Sequence, residues 1–314
     1  MRSNGLRSKK RQTFFTFRGS YHGDTFGTMS VAASPQFHGV FKPLLFKTHV
    51  ATPVTMHPSH LCPNGVADFA TKQAELEWIF TNHNHTIAAV IIEPLVQGAG
   101  GMLMQDPRWL KELARLCQRY EIPLIFDEVF TGFGRVGASF AFQRAEVIPD
   151  IICVAKGLTG GTMPLAATIC RESFFRDFLS ADKSKALLHG HSFTANPLGC
   201  AVARAALKIF VNEDLAARAI ALEKVFFDWL AGEGRRRGVV NPRALGGILA
   251  FEIPGATQHN DYFHSAGPRL QHRAFEKGLM IRPLGNTFYF LPPLTINNDE
   301  LKFSLKVIGE ILAS

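Results

Sequence analysis

Two short apolar runs, each stopped by a charged residue, constrain this chain more than anything else in it. Pro123-Leu124-Ile125-Phe126 ends on Asp127 and Glu128, ahead of a glycine-rich turn, Thr131-Gly132-Phe133-Gly134-Arg135. Ile151-Ile152-Cys153-Val154-Ala155 ends on Lys156, ahead of Gly157-Leu158-Thr159-Gly160-Gly161. Wholly apolar runs of this length, bounded by turn residues, predict buried parallel strands. Ligands of open α/β sheets collect at the carboxyl ends of such strands. A carboxylate at one strand end and an amine at the next therefore predict a shared crevice.

The rest of the chain supplies the context those strands need. Thr13 to Arg18 reads as a strand, followed by a polar turn, Gly19-Ser20-Tyr21-His22-Gly23-Asp24-Thr25. Residues 34 to 68 are rich in Pro, His, Ser and Thr without periodicity and read as a long surface loop, and Ala67 to Asn82 as a helix. Ile87 to Ile92 is a buried strand ending in Glu93-Pro94, then Val96-Gln97-Gly98-Ala99-Gly100-Gly101. Trp109 to Tyr120 has apolar residues at helical spacing, with Asp106 as N-cap and Pro107 at the first helical position. Leu165 to Cys170 reads as a strand, Leu187 to Asn196 as a loop, Pro197 to about Phe210 as a helix, and Asp214 caps another to about Leu230. Beyond it come a strand from Leu245 to Ile253, a helix from Ala266 to Lys277, two short strands about Gly285-Asn286 between Met280 and Leu291, and a helix from Asp299 to Leu312. The predicted fold is α/β: a doubly wound, mostly parallel sheet over residues 1–215, then a smaller α+β domain over 216–314.

A formal net charge of +8 invites a nucleic-acid reading. The basic residues are spread along the chain, apart from Arg7-Ser8-Lys9-Lys10-Arg11 and Arg235-Arg236-Arg237, and no binding motif accompanies them. A basic crevice for small anions fits the charge equally well. Cys62, Cys117, Cys153, Cys170 and Cys200 form no CxxC pair, which fits reduced cysteines in a reducing compartment. No apolar run approaches the roughly 18 residues of a membrane span. The acid-free first 18 residues leave both a mitochondrial matrix and a cytoplasmic location open. His38, His49, His57 and His60 are not at metal-ligand spacing and read as solvated loop histidines, so no metal is expected.

Each candidate residue has a bland reading. A lysine after a buried strand is, alone, more often a surface residue snorkelling outward than a nucleophile. The glycines behind Lys156 raise its standing, because they allow a ligand close to the backbone, and a desolvated lysine readily forms a Schiff base with an aldehyde. Asp127 directly follows the apolar run and is the acid at the crevice; a carboxylate there could hold a pyridine nitrogen protonated. Glu93 ends another strand and could orient a neighbour or line the pocket. Arg135 reads as structural. Tyr21 and His22 could stack on a planar face, with Asp24 fixing their turn. Ser192, in a loop leading to a helix start, suits a phosphate. Arg282 sits between apolar residues and, if buried, needs a carboxylate from protein or substrate. Gly132-Phe133-Gly134 lacks the third glycine of a dinucleotide fingerprint, and neither a P-loop nor G-x-S-x-G is present.

Four segments, in this order and spacing, carry a resemblance to a known family: "IIEPLVQGAGGM", "LIFDEVFTGFGR", "PDIICVAKGLTGG" and "HGHSFTANPLGCAVA". Together they resemble the class III pyridoxal-phosphate-dependent aminotransferases of fold type I. "YHGDTFGTMS", "GGTMPLAAT" and "IRPLGNTFYFLPPL" resemble, within that family, the branch acting on 8-amino-7-oxononanoate in biotin synthesis, usually with S-adenosylmethionine as donor. The resemblance implies pyridoxal 5'-phosphate as cofactor. It implies Lys156 as the amine that carries the cofactor and shuttles a proton, Asp127 on the pyridine nitrogen, and Tyr21 beside the ring and substrate, with His22 and Asp24 in support. Gly190, His191 and Ser192 would reach substrate and phosphate in the neighbouring subunit of a homodimer with shared sites. Arg282 would bind the acceptor's carboxylate, with Tyr289 lining that pocket. The family carries a long segment upstream of "YHGD", including a phosphate-binding turn. The corresponding expectation is weak cofactor binding by this polypeptide alone, as a fragment or a piece of a longer chain. In eukaryotic relatives that longer chain often includes a dethiobiotin synthetase. A different ω-amino-acid acceptor, or a non-catalytic remnant acting as a binding or dimerisation partner, stays open at this point.

Overall fold

The computed structural model describes residues 11–56, 69–253 and 262–313. β1 (Thr13–Phe17), β2 (Thr48–Ala51) and β3 (Ile87–Ile92) open the chain, and a two-stranded ribbon, β4 (Val96–Gln97) with β5 (Leu103–Met104), carries the glycine turn between them. β6 (Leu124–Asp127), β7 (Ile151–Val154) and β8 (Ala167–Cys170) complete a six-stranded sheet in the order β2-β1-β3-β6-β7-β8. Every neighbouring pair is parallel except β7–β8. Phe15, Phe17, Ile87, Ile92 and Phe126 are fully buried on it. The helix Pro107–Arg119 starts as its sequence demands, with the Asp106 carboxylate accepting from Arg108 N at 2.8 Å. It buries Trp109 edge-on against Phe17 at 6.1 Å.

Over its described part, the stretch expected to be a surface loop carries regular structure. Residues 34 to 56 form a helical turn (Pro35–His38), a 3-10 turn (Gly39–Leu44) and β2, which extends the sheet beside β1. Four residues are too few to show a period, so pairing with β1 decides this strand. His38 is buried rather than solvated, and His49 stacks on His83 at 4.5 Å. Burial first, and then the neighbouring His83, lower the pKa of His49. His57, His60 and Cys62, and the basic run through Lys10, lie outside the described residues.

The last third holds a three-stranded antiparallel sheet, β9 (Val240–Leu245), β10 (Ile248–Glu252) and β11 (Thr287–Phe290), in the order β11-β10-β9. β9 was not expected, because Asn241, Pro242 and Arg243 interrupt its apolar pattern. It folds as the partner of β10 across Gly246-Gly247. Only one strand follows Gly285, rather than one on each side; Leu284 makes an isolated bridge to Thr287. A second core gathers here, with Phe251 and Phe288 stacked at 4.7 Å and the helices Leu215–Trp229, Ala266–Glu276 and Asn298–Ile311 around them.

Two arginines, Arg243 buried and Arg135 half-buried, tie this sheet to the first. Arg135 donates to the carbonyls of Gly247 and Pro292 at 3.0 and 2.9 Å, the structural role expected of it, with carbonyls rather than a carboxylate as partners. Arg243 donates to Gly101 O at 2.5 Å and Met102 O at 2.9 Å. Burial brings both guanidinium pKa values down to about 10. Gly246 lies where the chains meet: its φ is +54°, and a Cβ there would sit 2.4 Å from Arg135 O.

Glu128 turns away from the crevice. Fully buried, it accepts from Ala141 N at 2.7 Å, Phe142 N at 2.9 Å and Thr131 Oγ1 at 3.0 Å. It therefore fastens the Thr131–Arg135 turn to the helix start at Ala141. Glu128→Ala should strand these buried donors and lower the unfolding free energy by about 2–4 kcal/mol, read as a lower urea midpoint.

Candidate active site

The parallel strands β1, β3, β6 and β7 all end at one edge of the sheet. Ile92 pairs with Phe126, and Asp127 with Cys153, so Glu93 and Asp127 emerge side by side and Lys156 follows one turn beyond β7. Tyr21 and His22 come from the turn after β1.

The deepest contact there joins His22 Nδ1 to Asp127 Oδ2 at 2.7 Å, with side chains only 1% and 10% exposed. Asp127 Oδ1 accepts from Val129 N at 3.1 Å. His22 Nε2 is buried and finds no hydrogen-bond partner among the described residues. Beside this pair, Glu93 accepts from Tyr21 N and from Gly98 N, both at 3.0 Å. Burial pushes the Glu93 carboxyl up to about 7; the nearby Asp127 charge adds to this, while His22 and the two N–H groups oppose it. The glycine turn therefore lies against the Tyr21 turn. A Cβ at Gly100 would stand 2.5 Å from Gly19 O, so that position needs glycine.

Gly98 faces the Phe130 ring, and Lys156 Nζ lies 5.7 Å from the centroid of the same ring. Lys156 is exposed rather than desolvated. Its φ of +44° is a left-handed conformation that costs a non-glycine residue about 1–3 kcal/mol. A Cβ at Gly157 would meet Phe133 at 2.8 Å, so the next position has no room for a side chain.

A second wall rises from Tyr21. Its phenol donates to Asp24 Oδ2 at 2.7 Å, and burial, then this bond and the Asp24 charge, push it up to about 12. Hydrogen bonds from Tyr21 and His38 hold the Asp24 carboxyl below its ordinary value. The Tyr21 ring stacks on His38 at 5.5 Å and meets Phe37 edge-on at 5.6 Å; Phe37 in turn meets Tyr262 at 4.8 Å. Tyr289 is half-buried: burial raises its phenol, the Arg282 charge lowers it and Tyr262 raises it. Tyr262 and Tyr289 both pack against the first hydrophobic core, and the Arg282 charge reaches Tyr289. Arg282 is exposed rather than buried, and no ion pair with a described residue holds it. Phe37, His38 and Tyr262 went unrecognised in the sequence; two aromatic rings just after Pro35 were their only signal.

Gly190, His191 and Ser192 are exposed, and the loop bonds to itself: Thr194 Oγ1 donates to His191 O at 2.8 Å and accepts from His191 N at 3.0 Å. Within one chain it does not join the cluster. A groove of 1160 Å³ lies at the other edge of the sheet, by Leu124 and Asp150, and holds none of these residues.

A buried carboxylate, its histidine partner and a strained lysine at neighbouring strand ends fit a pyridine-ring cofactor that carries a carbonyl. Comparison with known proteins agrees. The chain belongs to the class-III aminotransferase family, whose model matches residues 1–312, and the cofactor of that class is pyridoxal phosphate. More particularly, it is 40% identical over 303 residues to the adenosylmethionine-8-amino-7-oxononanoate aminotransferase of Synechococcus elongatus, covering 96% of this chain and 69% of that protein. The enzyme of the same name from Geobacter sulfurreducens is 41% identical over 310 residues, covering 96% and 67%. Among solved structures, the Methanocaldococcus jannaschii enzyme of that name superposes with a TM-score of 0.87 at 33% identity, covering 99% of this chain and 70% of its own. A pyridoxal-phosphate-bound amine transaminase from an uncultivated Pseudomonas species gives 0.90 at 30%, covering 99% and 72%.

The raised Glu93 pKa has a readable consequence. Unfolded, the carboxyl titrates near its ordinary value of 4.5; folded, near 7. Between those values the folded chain binds the extra proton, so this stabilisation is complete below the unfolded pKa and disappears as pH rises through the folded one. Glu93→Gln should remove about 2–3 kcal/mol from the fall in unfolding free energy between roughly pH 5 and pH 8. An unaltered slope in denaturant titrations would show that Glu93 ionises without penalty.

Proposed function

We propose that this chain transfers an amino group to 8-amino-7-oxononanoate in biotin synthesis, with S-adenosylmethionine as donor and pyridoxal phosphate as cofactor. The observation that carries the choice of acceptor is Arg282, an exposed guanidinium with no ion pair to a described residue, whose charge reaches Tyr289. The names of the relatives support the same choice.

Pyridoxal phosphate, when bound, supplies an electrophilic carbonyl carbon for amines and a ring that withdraws electrons from the carbon being rearranged. The chain's own groups do the rest. Asp127 would hold a proton at the ring nitrogen, and His22 keeps that carboxylate oriented through its 2.7 Å bond. Lys156 would hold the cofactor through its Nζ and, when released, would carry a proton at that nitrogen. Tyr21 packs beside the ring, with its phenol kept protonated and its backbone fixed by Glu93. Arg282 receives the acceptor's carboxylate through charge-assisted hydrogen bonds. Gly190, His191 and Ser192 serve the neighbouring subunit's site in a homodimer; exposed Leu188 and Phe193 on that loop suit such an interface.

Two measurements test this reading. Mixing the chain with pyridoxal phosphate should produce a visible absorption band that Lys156→Ala abolishes; identical spectra would leave a non-catalytic binding protein. In turnover, Arg282→Ala should raise KM for the carboxylated acceptor about 10- to 100-fold with kcat nearly unchanged, as loss of a charged hydrogen-bond pair predicts. An unchanged KM would move the acceptor to an amine or ketone without that carboxylate.

A further inference from the structure

We infer that His38 is a positioning residue for Tyr21: its imidazole acts through Asp24 to hold the tyrosine ring and hydroxyl in place. The inference rests on the reading that Tyr21 faces cofactor and substrate, but its geometry is independent of that reading.

Asp24 lies on an exposed turn, its side chain 74% accessible, and a single phenol bond would leave it free to rotate. A second contact prevents that. His38 Nε2 lies 3.0 Å from Asp24 Oδ1, while Tyr21 donates to Oδ2, so the two carboxylate oxygens are engaged from opposite sides. The His38 side chain is 5% exposed, and its ring lies nearly parallel to that of Tyr21, at 20°. The imidazole thus fixes the ring by stacking and the hydroxyl through the carboxylate.

The backbone brings both ends of this arrangement into register. His38 closes the helical turn that Pro35 begins. Ser34, at the head of that turn, donates to Ser20 O at 2.7 Å, and Ala33 N donates to Ser20 Oγ at 3.3 Å. Ser20 immediately precedes Tyr21. One end of the segment is therefore pinned just before the tyrosine and the other just after it, at Asp24. The bonding pattern also selects a tautomer. His38 Nδ1 is buried with no hydrogen-bond partner among the described residues. A bare lone pair is tolerated there better than an N–H without an acceptor, so the proton sits on Nε2, facing the carboxylate.

The chain has four tyrosines, which makes the test direct. Protein labelled with 13C at tyrosine Cζ gives four resonances, assigned by Tyr→Phe substitution, and each reports its own ionisation. His38→Leu should make the Tyr21 phenol about tenfold more acidic, because the freed carboxylate swings away. His38→Gln, which keeps an N–H donor at the position of Nε2, should restore the original midpoint. Asp24→Ala should reproduce the leucine result, and the double variant should add nothing to it. An unmoved Tyr21 in His38→Leu, or a double variant whose effects sum, overturns the inference.

Tyr120 serves as an internal folding control. If it collapses to the free-tyrosine position in His38→Leu, the imidazole 15N spectrum of the unaltered chain decides. Protonated Nε2 that shifts in Asp24→Ala supports the contact; protonated Nδ1, or no shift, removes it. With pyridoxal phosphate and substrates present, His38→Leu should lower kcat about tenfold and leave the acceptor KM nearly unchanged. A shifted Tyr21 resonance with unaltered kcat would uphold the positioning contact and remove Tyr21 from the proposed chemistry, so the two readings fail separately.

Discussion

The site depends on one buried carboxylate. Glu93 accepts a backbone N–H from each of two turns that are far apart in sequence, and so fixes Tyr21 against the glycine turn at Gly98. Taking a carboxylate out of water is expensive, and two N–H donors offset only part of that expense. The rest shows in the raised pKa. Asp127 lies close enough to add to the penalty, and His22, in contact with Asp127 at 2.7 Å, opposes it. Two acids and one imidazole lie buried together. A ring carrying positive charge on its nitrogen would relieve that crowding, so the electrostatics here suit a cationic heterocycle.

Glycines set how closely the surrounding backbone can approach. Gly100 presses on Gly19 O, and Gly157 presses on the Phe133 ring; neither contact leaves room for a methyl group. Both lie in turns that follow strand ends, so the sheet delivers backbone as well as side chains to the crevice. Lys156 then takes the left-handed conformation without being a glycine. Its backbone has little alternative between Val154, held in β7, and Gly157, packed under Phe133. The strain is imposed by neighbours on both sides.

Much of this was legible in the sequence, for a physical reason. β1, β3, β6 and β7 are short, apolar and ended by charged or turn residues, because a strand buried on both faces must be uniformly apolar and its crevice end must not be. Asp106 and Asp214 were readable as caps because a cap is a local bargain between one side chain and a few backbone N–H groups. β2 and β9 were not readable. Thr48–Ala51 is too short to carry a period, and Asn241, Pro242 and Arg243 obscure β9; in both cases the deciding energy comes from a partner strand elsewhere. The wall of Phe37, His38 and Tyr262 was hidden for the same reason. Its rings find each other only after two remote segments have folded, and nothing in the spacing of Phe37 and Tyr262 announces contact at 4.8 Å.

The sequence left the burial of Lys156 and Arg282 open. The acids Glu93, Asp127 and Glu128 are buried, while the lysine and the arginine stay exposed. That division follows from hydrogen bonding. Carboxylates at the ends of parallel strands and the starts of turns find backbone N–H donors, as all three acids do. An ammonium or guanidinium needs acceptors, and buried Arg243 and half-buried Arg135 lie where carbonyls point at them. Lys156 and Arg282 find no such carbonyls among the described residues and are exposed. The crevice therefore presents buried carboxylates in its depth and exposed cationic side chains nearer solvent, a division of charge that the proposed function would use at Asp127 and Arg282.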